Sequence, residues 1–165
     1  MAYCVIIRGP LGVGKTTIAR KLAKALHGKY ISIDSLLEKQ GLDKVDKTLN
    51  RILLANFVKA ADPAIPELKS AVKKGRVIVF DGNFYHKKQI DHLRKSLGCR
   101  FHIFTLKAPF EVCIKRDSGR KKPYGRKAAK EVFDLVSKFA SGMSINTKNK
   151  TPAEVTKEVL QNLPR

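Results

Sequence analysis

The chain has 165 residues, 43% hydrophobic and 29% charged, a globular composition long enough to bury a sizeable core. Its 34 Lys and Arg against 14 Asp and Glu leave a net charge of +20, which favours polyanionic partners such as nucleic acid or simply aids solubility. No run reaches the roughly 18 apolar residues of a membrane span, and three cysteines without CxxC or Cys/His spacing argue against a disulfide scaffold or zinc module and for a reducing, cytoplasmic setting.

In chain order, Tyr3-Cys4-Val5-Ile6-Ile7 is an apolar, β-branched run closed by glycine and predicts a buried strand. It is too short for a signal peptide. Ile18, Leu22 and Leu26 recur every four residues and predict an amphipathic helix from Lys15 to His27, ended by Gly28. Tyr30-Ile31-Ser32-Ile33 reads as a second strand stopping at Asp34. From about Ser35 to Lys74 the pattern predicts helices, broken near Gly41 and at Pro63 and Pro66. Val77-Ile78-Val79-Phe80, apolar throughout, predicts a strand buried on both faces and ending at Asp81-Gly82-Asn83. A helix around His86 to Leu97, a strand over Phe101–Leu106 and a helix from near Pro109 follow. A Gly/Lys/Arg-rich loop then spans about Asp117 to Arg126, before a helix over Ala128–Ala140 and a weak strand near Met143–Ile145. Thr151-Pro152-Ala153-Glu154 is a capping box with proline at N1 and opens a last helix. Strands alternating with helices predict an α/β fold, a parallel sheet with helices on both faces in three layers. In such sheets ligands sit at the carboxyl ends of the strands, here Arg8-Gly9, Asp34, Asp81 and Lys107. No linker or repeat divides the chain, so residues 1–165 are expected to form one domain.

Gly9-Pro10-Leu11-Gly12-Val13-Gly14-Lys15-Thr16 matches GxxxxGK[ST] and sits where that motif must, after a strand and at the start of a helix. Glycines let successive N–H groups point into one cavity, and the helix N-terminus adds a positive field, so the loop suits a phosphate chain. Residues 9–16 and the adjoining Thr17 are the candidate nucleotide-binding residues. Lys15 is expected to reach the β- and γ-phosphates, and the Thr16 hydroxyl to ligate Mg²⁺.

Asp81, beyond a buried strand, is the candidate carboxylate for Mg²⁺, or else a turn former ahead of Gly82. Asp34 is placed to accept a proton from an attacking hydroxyl, or else caps a helix. Asn83 either orients an acceptor or sits in the turn. Arg116 and Arg120, four apart, share a helical face and precede a basic segment. That segment, about residues 117–127, is either a lid whose arginines stabilise charge in phosphoryl transfer or a solvated loop. The cysteines and the phenylalanines Phe101, Phe104, Phe110, Phe133 and Phe139 read as core, and the histidines lack metal spacing.

With these pieces in place, the chain resembles the small P-loop kinases, the adenylate, shikimate and gluconate kinase-like group. GPLGVGKTTIAR, ISID, VIVFDGN and CIKRDSGR bring it closest to the polynucleotide 5′-hydroxyl kinases and to the chloramphenicol phosphotransferase and zeta-toxin types. The resemblance implies a five-stranded parallel sheet in the order 2-3-1-4-5, ATP as donor and Mg²⁺ as cofactor. It also implies that Asp34 activates the acceptor hydroxyl, that Arg120 stabilises the transition state and that Arg116 lies near the adenine or phosphates. Two departures stand out: no arginine follows Asp34, where Ser35-Leu36-Leu37-Glu38 stands, and Gly82 follows Asp81. The expected activity is transfer of the ATP γ-phosphate to a hydroxyl, with a nucleoside, nucleotide or polynucleotide 5′-hydroxyl ahead of a small metabolite alcohol. A P-loop ATPase or nucleotide switch associated with RNA is the rival. Lys15, Asp34, Arg116 and Arg120 are the candidate catalytic residues, and Thr16 and Asp81 the candidate metal ligands.

Overall fold

The computed structural model describes residues 1–165. The chain runs through β1 (Tyr3–Arg8), α1 (Lys15–Ala25), β2 (Lys29–Ser32), α2 (Ile33–Lys39), α3 (Leu54–Ala61), a 3-10 turn (Asp62–Ala64) and α4 (Ile65–Lys73). It continues through β3 (Ile78–Gly82), α5 (Lys87–Leu97), β4 (Arg100–Lys107), α6 (Phe110–Ser118), α7 (Arg126–Ser137), β5 (Met143–Asn146) and α8 (Pro152–Gln161). The five strands form one parallel sheet in the order β2-β3-β1-β4-β5, as the family resemblance implies. The apolar run of β1 lies at its centre, between β3 and β4.

Alternation along β1 divides the core in two. Val5 and Ile7 face a layer with Ile18, Leu22, Val155 and Val159 from α1 and α8. Cys4 and Ile6 face Leu37, Phe57, Leu68 and Ile90 from α2, α3, α4 and α5. Each layer buries one apolar helix stripe against a sheet face, the arrangement that lets hydrophobic burial hold the molecule together. No helix is long and apolar enough to cross a membrane.

Several boundaries move, each for a local reason. β2 ends at Ser32 because the Ser32 hydroxyl accepts a hydrogen bond from the Ser35 amide at 3.2 Å and caps α2. Asp34 therefore lies in the first turn of a helix instead of at a strand end, and it is not the cap. Asp81 falls inside β3, paired with Ile7 and Ser32. Residues 40–53, predicted helical beyond Gly41, contain no helix. There Asp46 Oδ1 accepts from the amides of Thr48 and Leu49, each at 2.9 Å, and offers the backbone a turn in place of a helix. The far end of the segment is pinned, because the Ile52 amide donates to the Tyr85 hydroxyl at 2.9 Å. Pro66 does not interrupt α4. It sits in its first turn, where no N–H is required.

At the basic segment, α6 ends at Ser118 and α7 begins at Arg126, two residues earlier than expected, leaving a connection over residues 119–125. Asp117, only 2% exposed, accepts from the amides of Tyr124 at 3.3 Å and Gly125 at 3.2 Å. It organises the connection's backbone more than it offsets the surrounding cations. The capping box at Thr151 forms as predicted, with both reciprocal hydrogen bonds present. Cys4 and Cys113 are buried free thiols, whereas Cys99 is partly exposed, with its Sγ 3.3 Å from that of Cys4.

Candidate active site

The phosphate loop is built by β1 and α1 together. Gly12 and Gly14 have φ of 79° and 104°, the left-handed region that side chains avoid. A Cβ at Gly12 would also collide with the Cys113 carbonyl in α6. α1 has no side-chain cap and no acidic residue in its first turn, so its leading amides and its positive end are left for an anion. Lys15 is 8% exposed, and its Nζ donates to the Pro10 carbonyl at 2.7 Å. Burial lowers its pKa, and the carboxylates of Asp81 and Asp34 pull it back up. The cation is thus held against its own loop by the Pro10 carbonyl, within the field of two carboxylates.

Asp81 is 5% exposed and faces α1, on the same side of β3 as Val79. Its Oδ2 accepts from Thr16 Oγ1 at 2.8 Å and from the Tyr30 hydroxyl at 2.7 Å. The two candidate metal ligands therefore touch. No group of three or more His, Cys, Asp or Glu side chains is arranged so that it could hold a metal ion, so there is no all-protein metal cage. One hydroxyl and one carboxylate suit Mg²⁺, which keeps waters and shares phosphate oxygens. Sequence reasoning missed Tyr30. Its only signal was its position on β2, two residues before Ser32, which pairs with Asp81.

Asp34 lines a separate cleft of about 450 Å³ beside the loop residue Leu11, with Asn83, Tyr85 and Tyr124. Burial raises the pKa of its carboxyl, opposed by Lys15 and reinforced by Asp81 and Glu38. A carboxylate with a raised pKa is a stronger base than an ordinary aspartate and is suited to take a hydroxyl proton. Asn83 also faces this cleft, and its Oδ1 is buried without a partner.

The arginines divide. Arg116 Nη1 donates to the Val13 carbonyl at 3.1 Å and to Thr147 Oγ1 at 3.0 Å, and Nη2 to the Thr147 carbonyl at 3.1 Å. It braces the phosphate loop against the β5–α8 connection, with most of its donors engaged. Arg120 makes no such bonds and lies over the Tyr124 ring at 5.6 Å. Its charge acts on both Lys15 and Asp34. Both arginines line a cleft of about 320 Å³ with Gly12, Gly14, Thr17 and Lys150. Of the predicted residues, Thr16 and Asp81 touch, the charges of Lys15, Asp81 and Arg120 act on Asp34 in its own cleft, and Arg116 braces the loop from α6.

The AAA domain family matches residues 4–140. The chain belongs to that family. It is a P-loop kinase, and its relatives share nearly its whole length. It is similar to a cytidylate kinase of Sulfurisphaera tokodaii, 30% identical over 165 residues that span 93% of this chain and 91% of the relative. It is also similar to a shikimate kinase of Enterococcus faecalis, 27% identical over 174 residues that span 96% and 97% of the two chains. Among solved structures, a sugar kinase from Janibacter sp. HTCC2649 superposes with a TM-score of 0.73 at 18% identity, covering 98% of this chain and 94% of that one. That likeness shows the shared fold of this P-loop kinase and nothing about its acceptor.

Proposed function

We propose that this P-loop kinase transfers the γ-phosphate of ATP to a hydroxyl group presented in the Asp34 cleft. The observation that carries the reading is the contact of Thr16 with Asp81 at 2.8 Å, next to the buried Lys15. ATP lies with its phosphates in residues 9–16 and its base toward Thr17, Arg116 and Lys150, which line the smaller cleft. Thr16 and Asp81 would hold Mg²⁺, which would supply positive charge to offset the negative charge of the phosphates. Asp34 takes the proton as the acceptor oxygen attacks the γ-phosphorus, the bond to the β–γ bridging oxygen breaks, and ADP leaves. Lys15 and Arg120 stabilise the charge that spreads over the transferred oxygens. The basic connection around residues 117–127 closes over the site as a lid, anchored by Asp117. Free thiols at Cys4, Cys99 and Cys113 suit the cytoplasm.

For the acceptor, net charge and family resemblance favour the 5′-hydroxyl of a nucleoside, nucleotide or polynucleotide. Labelled ATP with a mixed panel of alcohols tests the kinase reading. Label should move to an organic product, and Lys15→Ala should cut that transfer by about 10²–10³-fold with the circular dichroism spectrum unchanged. Release of free phosphate alone would establish an ATPase instead.

A further inference from the structure

The two clefts beside the phosphate loop differ in charge. The one assigned to ATP is lined by Arg116, Arg120 and Lys150 and by no carboxylate. The one assigned to the acceptor is lined by Asp34, Glu38, Asp43 and Glu131 against only Arg51 and Lys127. In a chain of charge +20 with 14 carboxylates, four acids converge on this single cleft.

None of them is tied up in an ion pair, although the charges of Lys15 and Arg120 act on Asp34. The five ion pairs of the chain join Lys29 with Glu67, His92 with Asp62, Arg126 with Glu111, Lys130 with Asp134, and Lys150 with Glu158. None involves a carboxylate of the cleft. Even Lys127 and Glu131, one helical turn apart on α7, form no pair. Glu38 stands one turn beyond Asp34 on α2 and adds to the rise of the Asp34 pKa. It stands in the Ser35-Leu36-Leu37-Glu38 stretch, which offers no cation to an acceptor phosphate. The rest of the wall is mostly apolar, with Leu11, Leu37, Val45, Ile52 and Val132, and the partnerless Asn83 Oδ1 needs a donor.

A phosphate or carboxylate on the acceptor would be placed among four carboxylates, next to the triphosphate, with only Arg51 and Lys127 in the wall to receive it. Such a juxtaposition is strongly unfavourable. An uncharged alcohol meets no such penalty, and an ammonium group gains from it. We infer that the acceptor is an uncharged or cationic alcohol with an apolar face, bearing neither phosphate nor carboxylate. Within the 5′-hydroxyl acceptors this keeps nucleosides and removes nucleotides and polynucleotides. It also separates this chain from relatives named for cytidylate and shikimate, which are both anions.

The inference rests on the kinase reading above, and one experiment distinguishes their failures. ATP·Mg²⁺ binding is first measured by calorimetry. The wild-type protein then receives labelled ATP and an equimolar pool of matched alcohols: adenosine and cytidine with their monophosphates, myo-inositol with inositol monophosphate, 2-deoxystreptamine, shikimate, gluconate and a 5′-hydroxyl oligonucleotide. Label should enter the uncharged and cationic members about tenfold or more faster than the anionic ones. Glu38→Gln combined with Glu131→Gln should lower kcat/KM for 2-deoxystreptamine relative to myo-inositol about fivefold or more, with ATP affinity unchanged. Preferential labelling of any anionic member overturns the inference, whereas bound ATP·Mg²⁺ with no labelled product overturns the kinase reading. Absence of ATP·Mg²⁺ binding overturns the kinase reading itself.

Discussion

The charges of Asp34 and Lys15 act on one another in a partly buried site, and their titration links catalysis to stability. Burial raises the Asp34 pKa, and Lys15 opposes that rise. The folded protein therefore binds the Asp34 proton more tightly than the unfolded chain does. The stability contribution of Asp34 is fully present below its unfolded pKa of about 3.9 and is lost as pH rises through the folded value. At neutral pH its ionised carboxylate costs stability. Asp34→Asn is accordingly expected to melt higher than wild type at pH 7, with the difference vanishing toward acid, while kcat falls about 10²–10⁴-fold. Melting curves across pH together with turnover measurements check both signs. In the wild type, activity falls as pH drops through the raised Asp34 pKa, so the acidic limb should lie above the ordinary aspartate value.

At the scale of elements, the phosphate loop depends on α6 as well as on β1 and α1. Gly12 is positioned against the Cys113 carbonyl of α6, and Arg116 of the same helix binds the Val13 carbonyl at 3.1 Å. α6 leads directly into the basic connection, so the lid candidate and the loop share one rigid element. Gly12→Ala combines a left-handed φ of 79° with a backbone collision. It should cost about 3 kcal/mol or more, read as a lower urea midpoint and as lost ATP binding. Gly14→Ala meets no atom within 4 Å and carries only the conformational penalty, so it should be milder. That contrast separates crowding from backbone strain.

Across the whole molecule, the buried Arg8 ties the sheet to the helix that follows the lid. It is fully buried and has no carboxylate partner. Nη1 donates to Thr105 Oγ1 at 3.0 Å and to the Phe139 carbonyl at 3.4 Å, and Nη2 to the carbonyls of Val136 at 3.1 Å and Phe84 at 3.3 Å. The guanidinium also lies over the Phe139 ring at 4.4 Å, and burial lowers its pKa to about 10. One side chain at the end of β1 thus joins β4, the turn after Asp81 and the carbonyl end of α7, whose dipole favours a cation. Arg8→Met should destabilise by about 2–4 kcal/mol, because those acceptors lose their donor in a dry site. Denaturant titration reads the loss.

Local patterns alone determined much of this protein. The phosphate loop, the central strands and the Thr151 cap were legible because glycine spacing, unbroken apolar runs and capping chemistry act within a few residues. Residues 40–53 were misread because turn hydrogen bonds at Asp46 and the Tyr85 anchor outweigh helix propensity there. The partners of Arg8, the Tyr30–Asp81 contact, the bracing role of Arg116 and the gathering of Asp34, Glu38, Asp43 and Glu131 around one cleft came only from tertiary structure. Each joins residues far apart in the chain or on different elements, and the sign of a cleft's charge depends on which side chains the fold turns toward it. A net charge of +20 averages over the surface, whereas an acceptor meets only the few groups within a Debye length.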